Sequence, residues 1–312
     1  MLNLPRLPAK AAYIHLDNAS KRNALSLGVL LNLQAQLKQH LTSPTTGRLL
    51  TLPTFQPSLL EKLSSQESAA NTRYHWLVDA SEWQRQRGGL PNVLVLRSQG
   101  PVFSSGHDLK ELAGMSHDER LVLFNTCAEV MALIRRSPAI VVCAIQGLAT
   151  AAGFQLAMNC DIAVARAKTL FQLPGMSIGL PCTSPSTAVS RRLPVGLAYR
   201  MFATAEPVQA SQLGGAVDVV ESESITAFEE RVEQLVSRLA GMPGQPQALG
   251  KWAYWAQIGI GKYHDSESGG GDSVDEDAAR WAAAAMSLHA QGADAKEGIS
   301  SFLSKKKPAW ST

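Results

Sequence analysis

The stretch Val141–Ala165 restricts the fold of this chain most strongly, because it holds two strand patterns, a tight turn and a helix pattern in succession. Val141–Ile145 is an uncharged apolar run rich in β-branched residues, which predicts a buried strand. Gly147 interrupts this run, and apolar residues recur at helical spacing from Phe154 onward. Ile162–Ala165 is a second short apolar run. The order predicts a strand, a turn of small residues, a helix and another strand.

The turn between the first strand and the helix, G-L-A-T-A-A-G, is almost free of bulky side chains. Such a turn lets a ligand approach the backbone closely, and the first N–H groups of the following helix have no partner within it. These groups would suit an anion or a polarised carbonyl oxygen. The same composition also suits a helix that simply packs tightly on a sheet. The turn alone leaves both interpretations open.

A second stretch supports the ligand-binding interpretation. Asn92–Leu96 predicts another buried strand, and V-F-S-S-G-H-D-L-K-E-L follows at Val102–Leu112. Together, F-S-S-G-H-D-L and G-L-A-T-A-A-G-F-Q-L-A-M-N-C-D resemble the enoyl-CoA hydratase/isomerase family, the crotonase superfamily. The amphipathic helix pattern between the two motifs, His117–Arg136, has the length that this family shows. The resemblance covers residues 11–42 and 90–310.

The resemblance implies an α/β fold, the crotonase (ClpP-like) fold of repeated ββα units with a helical C-terminal oligomerisation region. We therefore expect an α/β core over residues 1–203 and a helical region over 204–312. Residues 42–90 exceed the short connection that most relatives have at this point. We expect a flexible surface excursion there, the alternatives being a lid or a retained intron.

The resemblance also assigns the catalytic positions. In this superfamily two backbone N–H groups bind the thioester oxygen, and the matching residues here are His107 and Ala152. Hydratases of the family carry two glutamates, and the matching positions here are Gln155 and Gly175. Because glutamine cannot shuttle a proton and glycine has no side chain, we expect ordinary hydratase activity to be weak.

A CoA site is implied beside the R-N-A-L loop. No metal is expected, and no cofactor apart from CoA, which is part of the substrate. The residues expected to contact CoA, the last of them from a neighbouring subunit, are Lys21, Arg22, Ala24, Ser105, Lys110 and Lys306.

Three other residues were considered as substitutes for the missing glutamates. Asp108 is expected to be a structural helix cap rather than an acid. The His107 imidazole could point toward the thioester, and Cys182 lies in a Pro/Gly-rich loop that borders the site, where a cysteine is usually inert. None is a compelling replacement on sequence grounds.

Composition narrows the class of protein. Lys and Arg number 29 against 26 Asp and Glu, which leaves a net charge of +3 and no nucleic-acid footprint. The four cysteines lack CxxC spacing, which predicts reduced, mostly buried residues of an intracellular protein. No apolar run is long enough to span a membrane. Similar proteins are mitochondrial, and a cytoplasmic location is the alternative because no clear presequence is present.

Three functions remain open. The first is an enoyl-CoA hydratase-like enzyme of fatty-acid and acyl-CoA metabolism, including an isomerase or decarboxylase that relies on the oxyanion hole. The second is an acyl-CoA-binding protein without catalysis. The third is a pure scaffold, which has no need of the retained N–H donors. The family's trimer, or dimer of trimers, is the expected assembly.

Overall fold

The computed structural model describes residues 4–54, 57–259 and 290–312. The chain forms two compact units. The first unit consists of Met1–His40, Val93–Arg135 and Val141–Leu239. The second unit consists of Leu41–Asn92, Arg136–Ile140 and Ala240–Thr312.

The strands of the described ranges are β1 (Ala11–Leu16), β2 (Val93–Ser98), β3 (Val102–Ser104), β4 (Ile140–Ile145), β5 (Leu148–Thr150), β6 (Ile162–Arg166), β7 (Leu170–Gln172), β8 (Val208–Gln209) and β9 (Asp218–Val220). A five-stranded sheet has the order β1-β2-β4-β6-β9, and a four-stranded sheet has the order β3-β5-β7-β8. The pairs β1–β2, β4–β6, β6–β9, β3–β5 and β5–β7 are parallel, whereas β7–β8 is antiparallel.

The α-helices of the described ranges are α1 (Leu27–Leu41), α2 (Pro57–Ser64), α3 (Gln66–Ala70), α4 (Ala80–Arg87), α5 (Leu109–Gly114), α6 (His117–Arg135), α7 (Ala152–Asn159), α8 (Thr183–Val189), α9 (Val195–Thr204), α10 (Ile225–Ala240), α11 (Gly244–Gly259) and α12 (Ala293–Leu303). No helix of the described ranges is long and apolar enough to cross a membrane.

The predicted ββα repeat is confirmed. Strands β2 and β3 precede α5 and α6, strands β4 and β5 precede α7, and strands β6 and β7 precede α8. In each repeat the first strand joins the five-stranded sheet and the second joins the four-stranded sheet. The loops that follow β3 and β5 therefore leave neighbouring strands of one sheet, which brings the two sequence motifs together.

Aromatic side chains fill the core of the first unit around α7. Phe103, Phe154 and Phe171 are fully buried, and the rings of Phe154 and Phe171 lie 5.0 Å apart. Burying one such side chain stabilises a fold by about 1.5–3 kcal/mol. The small residues of the turn also contribute to packing, because a Cβ at Gly153 would lie 2.5 Å from the Ser104 Cβ. Tight packing of α7 on β3 is thus one reason why position 153 is a glycine.

Residues 42–90, where the sequence predicts a flexible surface excursion, form helices that contribute to a buried core. They contain α2, α3 and α4, and their apolar side chains belong to a buried cluster of the second unit, the tryptophan cluster, which also includes residues of α11. Its largest members are Trp76, Trp83 and Trp252. The rings of Trp76 and Trp83 lie 5.8 Å apart. This segment is helical because it buries an apolar face in a core of its own unit.

The boundary expected at residue 203 also differs from the observed division. The first unit extends to Leu239, and the short strands β8 and β9 come before α10. The pairing of β9 with β6 keeps this region in the first unit. From α10 onward the described residues are helical except for short connections, and the acidic segment 264–277 lies outside the described residues.

Candidate active site

A cavity of about 300 Å³ opens in the first unit where the loops after β3, β5 and β7 meet. Its wall is mostly apolar, and we call it the apolar cavity. Leucine, isoleucine, phenylalanine and proline side chains form most of the wall: Leu109, Leu112, Phe124, Pro174, Ile178, Leu180, Pro181 and Pro185. Its polar members are Ser105, His107, Cys182, Thr183 and Ser184.

The two motif loops touch at Gly106. This residue has φ +81°, and a Cβ there would lie 2.8 Å from the Ala151 Cβ and 3.3 Å from the Ala152 nitrogen. Ala152 is the first residue of α7, so its N–H has no acceptor within the helix. Among the described residues, the backbone N–H groups of His107 and Ala152 donate no hydrogen bond. Both residues line the apolar cavity.

Ala151, which precedes α7, has a strained backbone. Its φ of 49° and ψ of −123° lie in a region that glycine adopts readily and alanine rarely. Such a conformation costs about 1–3 kcal/mol and persists only where the surroundings enforce it. The hydrogen bond from the Ala151 N–H to the Gln172 carbonyl oxygen, 3.0 Å long, is part of that enforcement.

The His107 imidazole is half-buried beside the two donors. Its Nδ1 lies 3.2 Å from the Leu25 carbonyl oxygen, and its ring meets the Phe124 ring edge-on with centroids 5.2 Å apart. Because a carbonyl oxygen only accepts hydrogen bonds, Nδ1 carries the proton and Nε2 keeps a lone pair. Burial lowers the pKa of His107, while the Leu25 carbonyl opposes that effect in part. The ring is therefore neutral near pH 7.

Gln155 occupies the position of one missing glutamate, but it is not part of the cavity wall. Its side chain is buried, and its Nε2 lies 3.3 Å from the Ser184 Oγ. Ser184 does line the cavity. The amide at position 155 thus orients a hydroxyl that faces the ligand space. Sequence reasoning missed Ser184, and the signal available was its position in the Pro/Gly-rich loop that borders the site.

Gly175 occupies the other position, and it does line the cavity. A Cβ there would lie 2.0 Å from the Leu180 carbonyl oxygen and 2.8 Å from the Cys182 Sγ. The loop is closed by a hydrogen bond from the Leu180 N–H to the Gly175 carbonyl oxygen, 2.9 Å long. No side chain fits at position 175 in this loop conformation.

Cys182 is held in the thiol form. Its Sγ accepts a hydrogen bond from the Gly175 N–H at 3.3 Å, and burial raises the pKa of the thiol. All four cysteines are free and buried, as predicted. A protonated thiol is a poor nucleophile, which agrees with the inert role expected of Cys182.

A second cavity of about 400 Å³ adjoins the first, and we call it the cationic pocket. Most of the residues expected to contact CoA line it together: Lys21, Arg22, Ala24, Ser105 and Lys110. It shares Ser105, His107 and Leu109 with the apolar cavity. Lys306 follows α12 in the second unit, and its expected role in a neighbouring subunit's site stays a prediction.

The loop that carries Lys21 and Arg22 is fixed by Asn23, which sequence reasoning missed. Asn23 is buried with φ 53°, a left-handed conformation that asparagine tolerates better than most residues. Its Nδ2 donates to the carbonyl oxygens of Gln99 and Val102, both at 2.7 Å. Its own carbonyl oxygen accepts from the Ser104 Oγ at 2.9 Å.

Asp108 caps α5, as predicted. Its Oδ1 accepts hydrogen bonds from the backbone N–H groups of Lys110 and Glu111, at 3.1 and 3.3 Å. Its Oδ2 lies 3.1 Å from the Lys21 Nζ. The hydrogen bond from Lys21, followed by that from the Glu111 N–H, lowers the pKa of Asp108. Asp108 is thus an ionised structural group, not a proton donor at neutral pH.

No group of three or more His, Cys, Asp or Glu side chains in the described part of the chain is arranged to hold a metal ion.

Comparison with known proteins agrees with this geometry. Residues 89–252, more than half of the chain, match the sequence model of the family described as Enoyl-CoA hydratase/isomerase. The chain belongs to the enoyl-CoA hydratase/isomerase family. The resemblance expected from the two motifs is confirmed.

The chain is similar to enoyl-CoA hydratase domain-containing protein 3, mitochondrial, in several vertebrates. It is 38% identical to the Rattus norvegicus protein over 224 residues, which cover 70% of this chain and 69% of that one. The crystal structure of human enoyl-CoA hydratase domain-containing protein 3 superposes with a TM-score of 0.71 and 31% identity over 98% of both chains. An enoyl-CoA hydratase structure from Mycobacterium smegmatis gives a TM-score of 0.70 and 29% identity, covering 99% of this chain and 98% of that one.

Proposed function

We propose that this chain binds an acyl-CoA thioester, with the acyl group in the apolar cavity and the CoA phosphates at the cationic pocket. The observation that carries the proposal is that the two cavities meet at His107. An apolar chamber of about 300 Å³ lies at the small end of the range of ligand sites in proteins. Lys21, Arg22 and Lys110 supply positive charge at the other side of the junction. An acyl-CoA thioester has its parts in the same order: an apolar acyl group, the thioester and then the CoA phosphates.

The thioester carbonyl would lie between the N–H groups of His107 and Ala152, which have no other acceptor among the described residues. Two main-chain donors aimed at one oxygen stabilise the enolate that thioester chemistry forms. Loss of one donor in comparable sites costs about 2.7–4 kcal/mol of transition-state stabilisation. The donors are backbone groups, so they remain even though Ala152 stands where the family usually has a glycine.

The activity we propose is enoyl-CoA hydratase-like chemistry of fatty-acid or acyl-CoA metabolism, with weak hydration of ordinary substrates. Water addition needs a base for the water and an acid for the α-carbon. Gln155 and Gly175 supply neither. Each such group contributes roughly 10²–10⁴-fold, so the absence of both predicts a slow hydratase.

Two alternatives follow from the same observation. Decarboxylation forms an enolate without prior removal of a proton, so it suits an oxyanion hole that lacks carboxylates. A protein that binds acyl-CoA without turnover would use the same cavities. The relatives' names place them in mitochondria, and we propose the same compartment for this chain. We also propose that it assembles as the trimer, or dimer of trimers, expected from the family.

Calorimetric titration tests the proposal. We expect butyryl-CoA to bind more tightly than CoA alone, since its acyl group enters the apolar cavity. We also expect it to bind more tightly than S-butyl-CoA, which lacks the carbonyl oxygen, by the roughly 0.5–1.5 kcal/mol of a neutral hydrogen bond. Lys110→Glu should weaken all three ligands, whereas the matched change Lys62→Glu, outside both cavities, should not. Equal affinity for butyryl-CoA and CoA would contradict the proposal.

A further inference from the structure

Side chains that can exchange a proton are scarce in the apolar cavity. Among the described residues that line it, His107 and Cys182 are the titratable ones. Burial raises the pKa of the Cys182 thiol, and the hydrogen bond that its Sγ accepts from the Gly175 N–H opposes this only in part, so the thiol stays protonated. Gln155, behind Ser184, is an amide and does not titrate. Proton transfer by a side chain in this cavity therefore falls to His107.

The surroundings of the His107 ring suit a base. Its Nδ1–H is occupied by the Leu25 carbonyl oxygen at 3.2 Å, and Leu25 and His107 are joined by a β-bridge, so the tautomer is set by the backbone. Among the described residues, none hydrogen-bonds to Nε2. The ring lies perpendicular to the ring of Phe124, which lines the apolar cavity together with His107.

Charged groups near the ring lie on the cationic side. Lys21, Arg22, Asp108 and Lys110 line the cationic pocket with His107. Asp108 is already engaged by Lys21 and by the N-terminus of α5. The apolar side contributes Phe124 and no charge among the described lining residues. The neutral imidazole is thus the form present near pH 7, in agreement with the lowered pKa of His107.

We propose that the His107 imidazole is the proton-transfer group of this site, with Nε2 removing the α-proton of a bound acyl-CoA thioester. The proposal rests on the thioester-binding function proposed above. The Cα–H bond breaks, its proton moves to Nε2, and its electron pair forms the carbon–carbon double bond of an enolate. The negative oxygen is held by the N–H groups of His107 and Ala152. The imidazolium then returns a proton to the α-carbon, so atoms and charge balance without a further reactant.

Hydrogen exchange in D₂O tests this step without requiring hydration. We expect the protein to incorporate deuterium at C2 of butyryl-CoA, measured by mass spectrometry. The exchange rate should rise with pH through an apparent pKa below 6.5, the ordinary value for histidine, and then level off. His107→Asn keeps the backbone N–H and a donor for the Leu25 carbonyl but has no titratable nitrogen. It should lose roughly 10²–10⁴-fold in exchange rate while butyryl-CoA affinity changes less than about threefold.

His117→Asn is the matched control, since it makes the same change at an exposed histidine outside both cavities, and it should exchange at the parent rate. The pH profile of the unaltered protein tests the inference independently of how the variants fold. Binding of butyryl-CoA without exchange, or exchange by His107→Asn at the parent rate, would overturn the inference and leave the binding function intact. Failure to bind butyryl-CoA more tightly than CoA would instead overturn the proposed function and this inference with it.

Discussion

At position 175 the backbone leaves no space for a side chain, and this decides what the site can do. The Leu180 carbonyl oxygen and the Cys182 Sγ occupy the volume where a Cβ would lie. A carboxylate therefore cannot be restored there by Gly175→Glu alone. At position 155 a glutamate would be buried next to Ser184, outside the cavity wall. The residues that match the family's acids are thus unsuited in two different ways, one by crowding and one by placement.

We predict that Gly175→Ala destabilises the protein by about 1–3 kcal/mol, the usual cost of overpacking. The contact atom is a backbone oxygen 2.0 Å from the new Cβ, so the loop itself must move. Gly196→Ala is the control, because a Cβ at Gly196 meets nothing within 4 Å and α9 gains a better helix former. Urea unfolding of both variants measures the difference. Equal stability of Gly175→Ala and the parent would show that the loop has another conformation.

At the scale of single elements, the N-terminal ends of α1 and α5 hold the loop that carries Lys21 and Arg22 at the cationic pocket. Glu111 of α5 accepts a hydrogen bond from the Leu27 N–H at the start of α1, at 3.2 Å. Ser26 caps the same helix by accepting a hydrogen bond from the Val29 N–H at 3.3 Å. Asp108 caps α5 and binds Lys21. The loop that precedes α1 is therefore anchored at both of its sides.

Asp108→Ala should lower the free energy of unfolding at pH 7 by about 0.5–2 kcal/mol, the usual effect of losing an N-cap. Because the folded-state pKa of Asp108 is lowered, its contribution is present above the unfolded pKa, about 3.9, and is lost as pH falls through the folded value. The difference in stability between the two proteins should therefore shrink as pH falls below the unfolded value of about 3.9 and through the folded-state pKa of Asp108. Asp118→Ala, an exposed acid in the first turn of α6, serves as control. Thermal unfolding from pH 7 to pH 2.5 measures both, and a constant difference across that range would refute the capping role.

Much of this element-level picture could be predicted from the sequence. The ββα repeats, the cap at Ser26 and the meeting of the two motif loops depend on local patterns that survive in one chain. The burial of residues 42–90 in a core of their own could not be predicted, because their apolar faces pack against α11, far away in sequence. The crowding at Gly175 and the contact between Gln155 and Ser184 depend on how the chain returns after β7. The course of such a loop leaves no periodic pattern in the sequence from which it could be predicted.

On the scale of the whole molecule, the chain folds into two compact units, each with buried apolar side chains of its own. The site lies in the first unit, whereas the tryptophan cluster forms the core of the second. Segments distant in sequence, 41–92 and 240–312, come together to form that core. A Gln245 hydrogen bond to the Trp76 carbonyl oxygen, 3.1 Å long, joins them. Residues 42–90 are therefore structural, and their removal would expose the apolar face of α11.

Trp76→Ala tests that role. Trp76 is fully buried in the tryptophan cluster, so the change should destabilise by about 3–5 kcal/mol, as for other large-to-small core substitutions. Leu49→Ala is the control, because Leu49 is 43% exposed and its loss should cost about 0.5 kcal/mol or less. Chemical denaturation followed by tryptophan fluorescence reports the second unit directly. A small effect of Trp76→Ala would mean that this segment is dispensable.

Assembly is the other prediction at this scale. Val195 and Tyr199, one helical turn apart on α9, are 77% and 69% exposed, and Phe202 lies near Tyr199 with ring centroids 6.3 Å apart. An apolar stripe of this kind supports the proposed trimer. Tyr199→Asp should shift the mass in sedimentation velocity toward the monomer, whereas Leu31→Asp on α1 should not. A monomeric parent protein at micromolar concentration would contradict the proposal.

The closed space at Gly175 also constrains the order in which this sequence can change over evolutionary time. A lineage that accepts the present path of the loop from Pro174 to Cys182 loses direct access to an acid at position 175, because the first mutation back meets the Leu180 carbonyl. The loop would have to be rebuilt before the acid could return. A change at position 175 is thus coupled to a change in the path of the loop, and neither alone would introduce an acid into the site.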